Sequence, residues 1–348
     1  DSATWSSEAT GVNFDAPGPD DFVDVRGVMM LMMDPPRHTA LRTLVSKGFT
    51  PRQVAKLNER LTDMARDVVD SVIERGECNF VTDVAGALPS YVIAELLGIP
   101  LEDGCRLYEL TEIMNTGGLG DPRATEAAVE MMTYSTELMA RKRADPGDDI
   151  ATSLLQAEVD GRRLTDLDFN TFFMLLINAG GDTTRNLVAG GMCVLMDHPE
   201  ERAKLEADPT LLPTAVEELL RYVSPVIAFL RTATKDTELR GVPVQKGDRV
   251  AMFYPSANRD EAHFADPDRF DVTRKPNPHI AFGGGGMHFC LGANLARVEA
   301  AALVPEVLSR MKNLELAGPV ERMPSTLING IHSMPVRFTP SARSGTSA

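Results

Sequence analysis

The stretch AFGGGGMHFCLG, Ala281 to Gly292, decides how the rest of this sequence is read. Four consecutive glycines cost conformational order, so a folded chain keeps such a run where its backbone must approach something closely. A histidine and a cysteine follow, directly ahead of the helical pattern LGANLARVEAAALVPEVL. The spacing excludes several loops. A dinucleotide fingerprint fails in either register, because positions 288 and 289 are His and Phe. No Gly-Lys-Ser/Thr follows, which removes a Walker loop, and no Cys-x-x-Cys-His is present for covalent haem attachment. The plain alternative is a buried structural cysteine in a turn.

Position relative to the helix adds chemistry. Amides at a helix N-terminus favour thiolate over thiol at Cys290. A thiolate is a soft ligand suited to iron. The surrounding glycines would let a flat macrocycle lie against the backbone, and Gly292 would let the following helix approach the same plane. His288 is placed to hydrogen-bond a carboxylate of that macrocycle. The loop therefore reads as a haem-thiolate loop.

Composition bounds the remainder. The chain has 348 residues, 43% hydrophobic and 24% charged, with a formal net charge of -15. That is enough apolar content for a sizeable core. The acidic balance argues against nucleic acid or an anionic membrane as the main partner. Cys78, Cys105, Cys193 and Cys290 are scattered, which argues against a disulfide framework or zinc site and fits a reducing, cytoplasmic compartment. The apolar runs at 27–33 and 172–180 are too short to span a bilayer.

Periodicity predicts a mostly helical fold with small β-sheets. Residues 11–36, rich in Gly, Pro and Asp, read as a long loop. A helix follows from Thr50 as cap and Pro51, with an apolar stripe of Val54, Leu57, Leu61, Met64, Val68, Val69 and Val72 and a terminal glycine at Gly76. Further helices are predicted over roughly 84–97, 124–143, 166–197, 199–207, 211–223 and 291–312. The segment 166–197 is apolar on most faces and would run nearly 50 Å at about 1.5 Å per residue, so it is predicted to be central and buried. Strand signals gather between about 226 and 254 and at 326–338. Everything shares one core, giving one domain over 1–340 and a polar tail over 341–348.

With these motifs in place, the chain resembles the cytochrome P450 monooxygenases. EELLR supplies the family's Glu-x-x-Arg pair at Glu218 and Arg221, and FADPDRF resembles the meander segment, where Arg269 would complete the network. AGGDTT, Ala179 to Thr184, matches the oxygen-activation motif inside the long helix. HTALR and FLRTAT contribute His38, Arg42 and Arg231 to the haem-propionate pattern. The motifs stand in the family order from about 36 to 300. Phe282 lies eight residues before Cys290, where seven is usual. That longer form, with INGIHSMPVRFTP at 328–340, resembles a bacterial branch that hydroxylates sterol side chains and branched lipids. The family's N-terminal helix and first two strands have no counterpart, so the resemblance implies a member starting some way in.

The resemblance implies haem b lying against Ala179, Phe282, Gly283 and Gly292, with Cys290 as its axial iron ligand. His38, Arg42, Arg231 and His288 would neutralise the two propionates. Asp182 and Thr183 carry two readings. As structure, Thr183 bonds back to a helix carbonyl and Asp182 pairs with Arg185 or solvent. As function, AGG loosens the helix, Thr183 hydrogen-bonds dioxygen and Asp182 relays protons. Glu218, Arg221 and Arg269 are read as structural. Val226, Ile227, Phe229 and Ile328 are expected to contact substrate, with the methionines of 28–34 either lining the same cavity or filling core. His198, His263, His279 and His332 have no ligand spacing and read as ordinary.

The expected activity is insertion of one oxygen atom from O2 into a C–H bond of a sterol, terpenoid or fatty-acid-like substrate. Electrons would come from a ferredoxin-type partner docking near Cys290, with Arg37, Arg42 and Arg297 as contacts. Two alternatives remain open at this point: a peroxide-dependent haem-thiolate peroxygenase, and a non-catalytic haem-binding or sensor protein.

Overall fold

Helices form in this chain where apolar residues recur every three or four positions, and they end where glycine, proline or a polar cap interrupts the pattern. The structure, a computed structural model, describes residues 1–14, 26–46, 49, 51–117, 121–159 and 161–345. In chain order the helices are α1 (Arg37–Ser46), α2 (Pro51–Val72), α3 (Ala87–Leu97), α4 (Leu101–Gly117), α5 (Pro122–Ala144) and α6 (Ile150–Gln156). They continue as α7 (Asp166–Asp197), α8 (Pro199–Ala207), α9 (Leu212–Val223), α10 (Tyr254–Ala257) and α11 (Ala293–Arg310). The strands are short: β1 (Trp5–Ser6), β2 (Glu77–Asn79), β3 (Glu158–Val159), β4 (Arg162–Arg163), β5 (Ala228–Ala233) and β6 (Thr237–Leu239). After them come β7 (Val242–Val244), β8 (Arg249–Phe253), β9 (Glu315–Leu316), β10 (Glu321–Arg322), β11 (Ile331–Ser333) and β12 (Pro335–Arg337). The expected architecture, mainly α with small sheets, is the one observed.

Two three-stranded sheets tie distant segments together. In one, β5 lies antiparallel between β1 and β8, with Trp5 opposite Ala233 and Ala228 opposite Phe253. In the other, β12 runs between β2 and β9, so residues 335–337 close against 77–79. Apolar side chains from Met30 to Phe338 form one connected core. Residues 341–345 are not a free tail. Ser341 N–H donates to Ile73 C=O at 3.2 Å, Ser344 N–H to Asp70 Oδ1 at 2.9 Å, and Arg343 pairs with Glu74 at 3.0 Å. Among the described residues no single helix is long and apolar enough to cross a membrane.

The long predicted helix is α7, 32 residues or about 48 Å at the usual rise. Its start is fixed by a capping box: Thr165 Oγ1 accepts from Asp168 N–H at 3.1 Å, while the Asp168 carboxylate accepts from Thr165 N–H at 3.1 Å. α3, α4, α5, α9 and α11 all pack against it, which makes it the central element. Its glycines serve close approach: a Cβ at Gly180 would stand 2.7 Å from Ile93 Cδ1, and one at Gly181 would stand 2.8 Å from Tyr108 Cδ2. The helix stays continuous there rather than loosened.

α1, α4, α6 and the one-turn α10 are absent from the periodicity reading. α4 hides behind Gly104, which looks like a helix breaker but is required by packing, since a Cβ there would meet Ser90 O at 2.8 Å and Ala94 Cβ at 2.7 Å on α3. The segment predicted from 84 is preceded by a π turn, Val81–Ala85, and α3 begins after Gly86. On α2, Leu61, Val68, Val69 and Val72 are buried as expected, and Gly76 adopts φ +75°. The cap at Thr50 and the side chains of Val54 and Leu57 lie outside the described residues.

Candidate active site

The loop between Ile280 and α11 is built by its glycines. Gly283, Gly285 and Gly286 take φ of +94°, +94° and +82°, a region that L side chains rarely adopt. Gly283 N–H donates to Ile280 C=O at 2.8 Å, and Cys290 N–H donates to Phe282 C=O at 2.9 Å, folding the loop back on itself. Gly292 caps α11, and a Cβ placed on it would meet nothing within 4 Å. This open space belongs to a cavity open to solvent, lined here by Cys290, Leu291, Gly292 and Leu295. Cys290 is exposed, but its surface faces that cavity. Burial among protein atoms pushes its thiol up, opposed by the Gly292 N–H, Arg42 and Arg297.

Basic side chains converge on the same cavity. His38 and Arg42 reach it from α1, Arg231 from β5 and His288 from the loop. The two imidazoles lie against each other, tilted by 39°, with centroids 4.1 Å apart. Burial lowers His38, Arg42 and Arg231, and it takes His288 down to about 4 with help from His38 and Arg231. Asp34 lies nearby, but its carboxylate accepts from Ser6 Oγ and from Ser7 N–H at 2.9 Å. Ser7 Oγ in turn touches His288 Nε2 at 3.1 Å. Buried His38 Nδ1 has no partner among the described residues. Crowded bases with a bare ring nitrogen form a cradle for buried anionic groups, and a wall of open glycine backbone suits a flat ring. The donor set fits haem b.

Helix α7 supplies the opposite wall. Ala179, Gly180, Thr183 and Thr184 line the cavity, together with Phe172, Leu175 and Leu176. Thr183 Oγ1 donates to Ala179 C=O at 2.8 Å. Asp182 does not line the cavity. It is buried, with Oδ1 3.2 Å from Arg185 Nη2. Both structural readings of this pair therefore describe contacts that are present. Val226 and Phe229 line the cavity, whereas Ile227 and Ile328 do not. Ile328 instead pairs with Val226 through an antiparallel bridge. Met30 and Leu31, from a short 3-10 turn, line the cavity, while Met32 and Met33 fill core.

Glu218 and Arg221 form a fully buried pair, Oε2 to Nε 2.8 Å and Oε1 to Nη2 2.8 Å. The third arginine is not the expected one. Arg274 Nε reaches Glu218 Oε1 at 3.1 Å, while the Arg269 side chain is 61% exposed and lies 3.8 Å from Asp271. Arg269 contributes its carbonyl, which accepts from Arg221 at 3.1 Å and Arg274 at 2.7 Å. Asp266 at φ +47° turns the chain so that backbone, not side chain, faces the pair.

The arginines expected at a docking face are engaged. Arg297 makes a two-armed pair with Glu217, which also accepts His279 Nε2 at 2.8 Å. Despite burial, the hydrogen bonds from Arg297 and His279 hold Glu217 at about 2. Arg42 donates to Phe289 C=O at 2.6 Å, and Arg37 pairs with Asp168 at 2.8 Å.

Glu299, Thr184 and Tyr254 line the cavity but were not singled out in the sequence. Burial raises Glu299 to about 8, offset in part by Thr184. The signal was there: an acid four residues after Leu295 and four before Leu303 sits on an apolar helix face.

The family description Cytochrome P450 matches residues 123–322. The chain is 41% identical over 321 residues to the methyl-branched lipid omega-hydroxylase of Mycobacterium tuberculosis, covering 89% of this chain and 74% of that protein. It is 39% identical over 324 residues to the steroid C26-monooxygenase of Rhodococcus jostii, covering 92% and 68%. A solved cytochrome P450 from Mycobacterium marinum, in complex with pseudoionone, superposes with a TM-score of 0.90 at 39% identity, over 97% of this chain and 83% of that one. The chain therefore belongs to the cytochrome P450 family and is a haem-thiolate monooxygenase.

Proposed function

We propose that this chain hydroxylates an unactivated C–H bond of a bulky apolar lipid, a steroid side chain or a methyl-branched chain, with Cys290 as the thiolate that would hold the haem iron. The carrying observation is the composition of one cavity. Cys290 and four basic side chains share it with a wall of Met30, Leu31, Phe172, Leu176, Val226 and Phe229. Such a wall recognises shape and apolar area rather than polar groups. The substrates named for the relatives, steroids and methyl-branched lipids, are of that kind.

Bound there, haem supplies the redox chemistry that activates O2 and transfers one oxygen atom. The chain's own residues do the rest. His38, Arg42, Arg231 and His288 hold the propionates in a buried setting that needs paired donors. The apolar wall orients the substrate and excludes water. Thr183, with its proton on Ala179 C=O, keeps lone pairs toward the cavity and accepts from a hydroxyl or water placed there. Asp182, the preceding residue, is the carboxylate from which protons would be supplied to that hydroxyl. Electrons arrive from a ferredoxin-type partner on the side of the Cys290 loop.

The test pairs binding with turnover. Titration with cholest-4-en-3-one and with a methyl-branched fatty acid should shift the Soret band for at least one of them. Oxygenated product should appear only with NADH, a ferredoxin and its reductase. Product with hydrogen peroxide alone would replace this reading with a peroxygenase. No shift with either lipid would remove the proposed substrate class.

A further inference from the structure

On the side of α7 away from the cavity, a connected string of titratable groups runs from the buried Asp182 and Arg185 outward to the surface. Arg185, fully buried, places Nη2 3.2 Å from Asp182 Oδ1 and Nη1 3.3 Å from Glu112 Oε1. Glu112 lies 3.4 Å from Nδ1 of His332, whose side chain is 53% exposed. Titratable side chains thus run from the surface on β11, through α4, to the residue before Thr183. Tyr108, also on α4, stands among them with its ring 5.2 Å from the Arg185 guanidinium. Gly181 of α7 admits this ring, since a Cβ there would stand 2.8 Å from Tyr108 Cδ2.

The phenol hydroxyl is the telling atom. Tyr108 Oη is buried and makes no well-formed hydrogen bond to a described residue; Arg185 reaches it only loosely, and Arg185, Asp182 and Glu112 all act on it electrostatically. A buried hydroxyl with no good partner is costly to keep, a cost that phenylalanine in the same space would avoid. Burial pushes this phenol up, so it stays a neutral hydroxyl that can accept one proton while giving another.

We propose that His332, Glu112 and Tyr108 form the solvent end of a proton route that reaches Asp182 from the side of α7 opposite the cavity. The inference rests on reading Asp182 and Thr183 as the proton-handling pair. A proton from water is taken up by His332 and passed to the Glu112 carboxylate. Neither carboxylate is within hydrogen-bonding reach of Tyr108 Oη, so through bridging waters Glu112 gives it to the phenol as the phenol releases its own proton to Asp182. Each donor is restored by the proton behind it, so one proton moves from solvent to Asp182. Arg185 does not deprotonate and carries none of this traffic. It is a positioning residue that holds both carboxylates near the phenol. Where a gap exceeds hydrogen-bonding reach, Tyr108 Oη and the equally bare Arg185 Nε are partners for a bridging water.

Tyr108→Phe removes the hydroxyl and keeps the ring, its packing and its contact with Arg185. Its melting temperature should be unchanged or higher, with haem content and the substrate-induced Soret shift unaltered. Product formed per NADH consumed should fall roughly tenfold, with peroxide released instead. Glu112→Gln should fall in the same direction. A second readout needs no turnover. In protein labelled with 15N-arginine, the Arg185 Nε–H resonance, assigned by its loss in Arg185→Lys, should exchange rapidly with water despite full burial. Protection of that proton like a core amide would overturn the route. So would unchanged coupling in both variants, leaving the Asp182–Thr183 reading intact provided Thr183→Ala still uncouples. A fully coupled Thr183→Ala enzyme would overturn that reading, and the route with it.

Discussion

Among the cavity-lining polar residues, Thr183 and Glu299 can each be tested by a single side-chain change. Thr183 presents a hydroxyl from inside an apolar helix and is held by its own turn at Ala179. Thr183→Ala keeps the helix and removes the hydroxyl. NADH consumption should continue, while product falls roughly 10- to 100-fold, at and below the lower end of what a positioned proton donor contributes, and peroxide rises to balance the electrons. Glu299 is raised to about 8 from an ordinary 4.5. The folded state therefore retains a proton that the unfolded chain gives up above about pH 4.5. Its contribution to stability is full below that value and is lost as pH rises through 8. Glu299→Gln removes the ionisation, so thermal denaturation from pH 5 to 8 should show the wild type losing stability relative to the variant. A constant difference across that range would contradict the shift. Cys290 was legible in sequence because a glycine run with a histidine and a cysteine needs a reason, and the basic residues around the cavity because HTALR and FLRTAT resemble the family pattern. Glu299 was passed over as one acid among many. His332 read as ordinary because its partners, Glu112 and Arg185, come from elements the chain brings together only on folding.

Among elements, the Glu-x-x-Arg helix α9 shows how far a local pattern reaches. Spacing of three placed Glu218 and Arg221 on one face, and the structure buries both. The third partner depends on how residues 264–277 turn, which no periodicity encodes, and the turn selects Arg274 over Arg269. Arg274→Ala should therefore destabilise by about 3–5 kcal/mol, since it strips a partner from a buried carboxylate. Arg269→Ala should stay within about 0.5 kcal/mol, as an exposed change that leaves its carbonyl in place. Urea denaturation of the two variants decides between them, and equal losses would contradict the assignment. The long helix α7 was legible because it is apolar over many turns. α4 was not, because the glycine that lets it lie on α3 reads locally as an interruption. The strands of 226–254 were legible from their turn residues, but β1 was not. A two-residue strand pairing across more than two hundred residues leaves no local trace.

For the molecule as a whole, one cavity collects the loop at 281–292, the bases of α1 and β5, the centre of α7 and the start of α11. Segments from residue 30 to 299 must be correctly folded together before that cavity exists, so its chemistry reports on the entire fold. The central claim is that this arrangement binds haem with Cys290 as thiolate. The most direct measurement is the difference spectrum of the reduced protein with carbon monoxide, taken alongside Cys290→Ser. The strongly red-shifted Soret band characteristic of thiolate-ligated haem should appear in the wild type and be lost in the variant. Haem bound without that shift in the wild type, or a red-shifted band that survives in Cys290→Ser, would contradict the account.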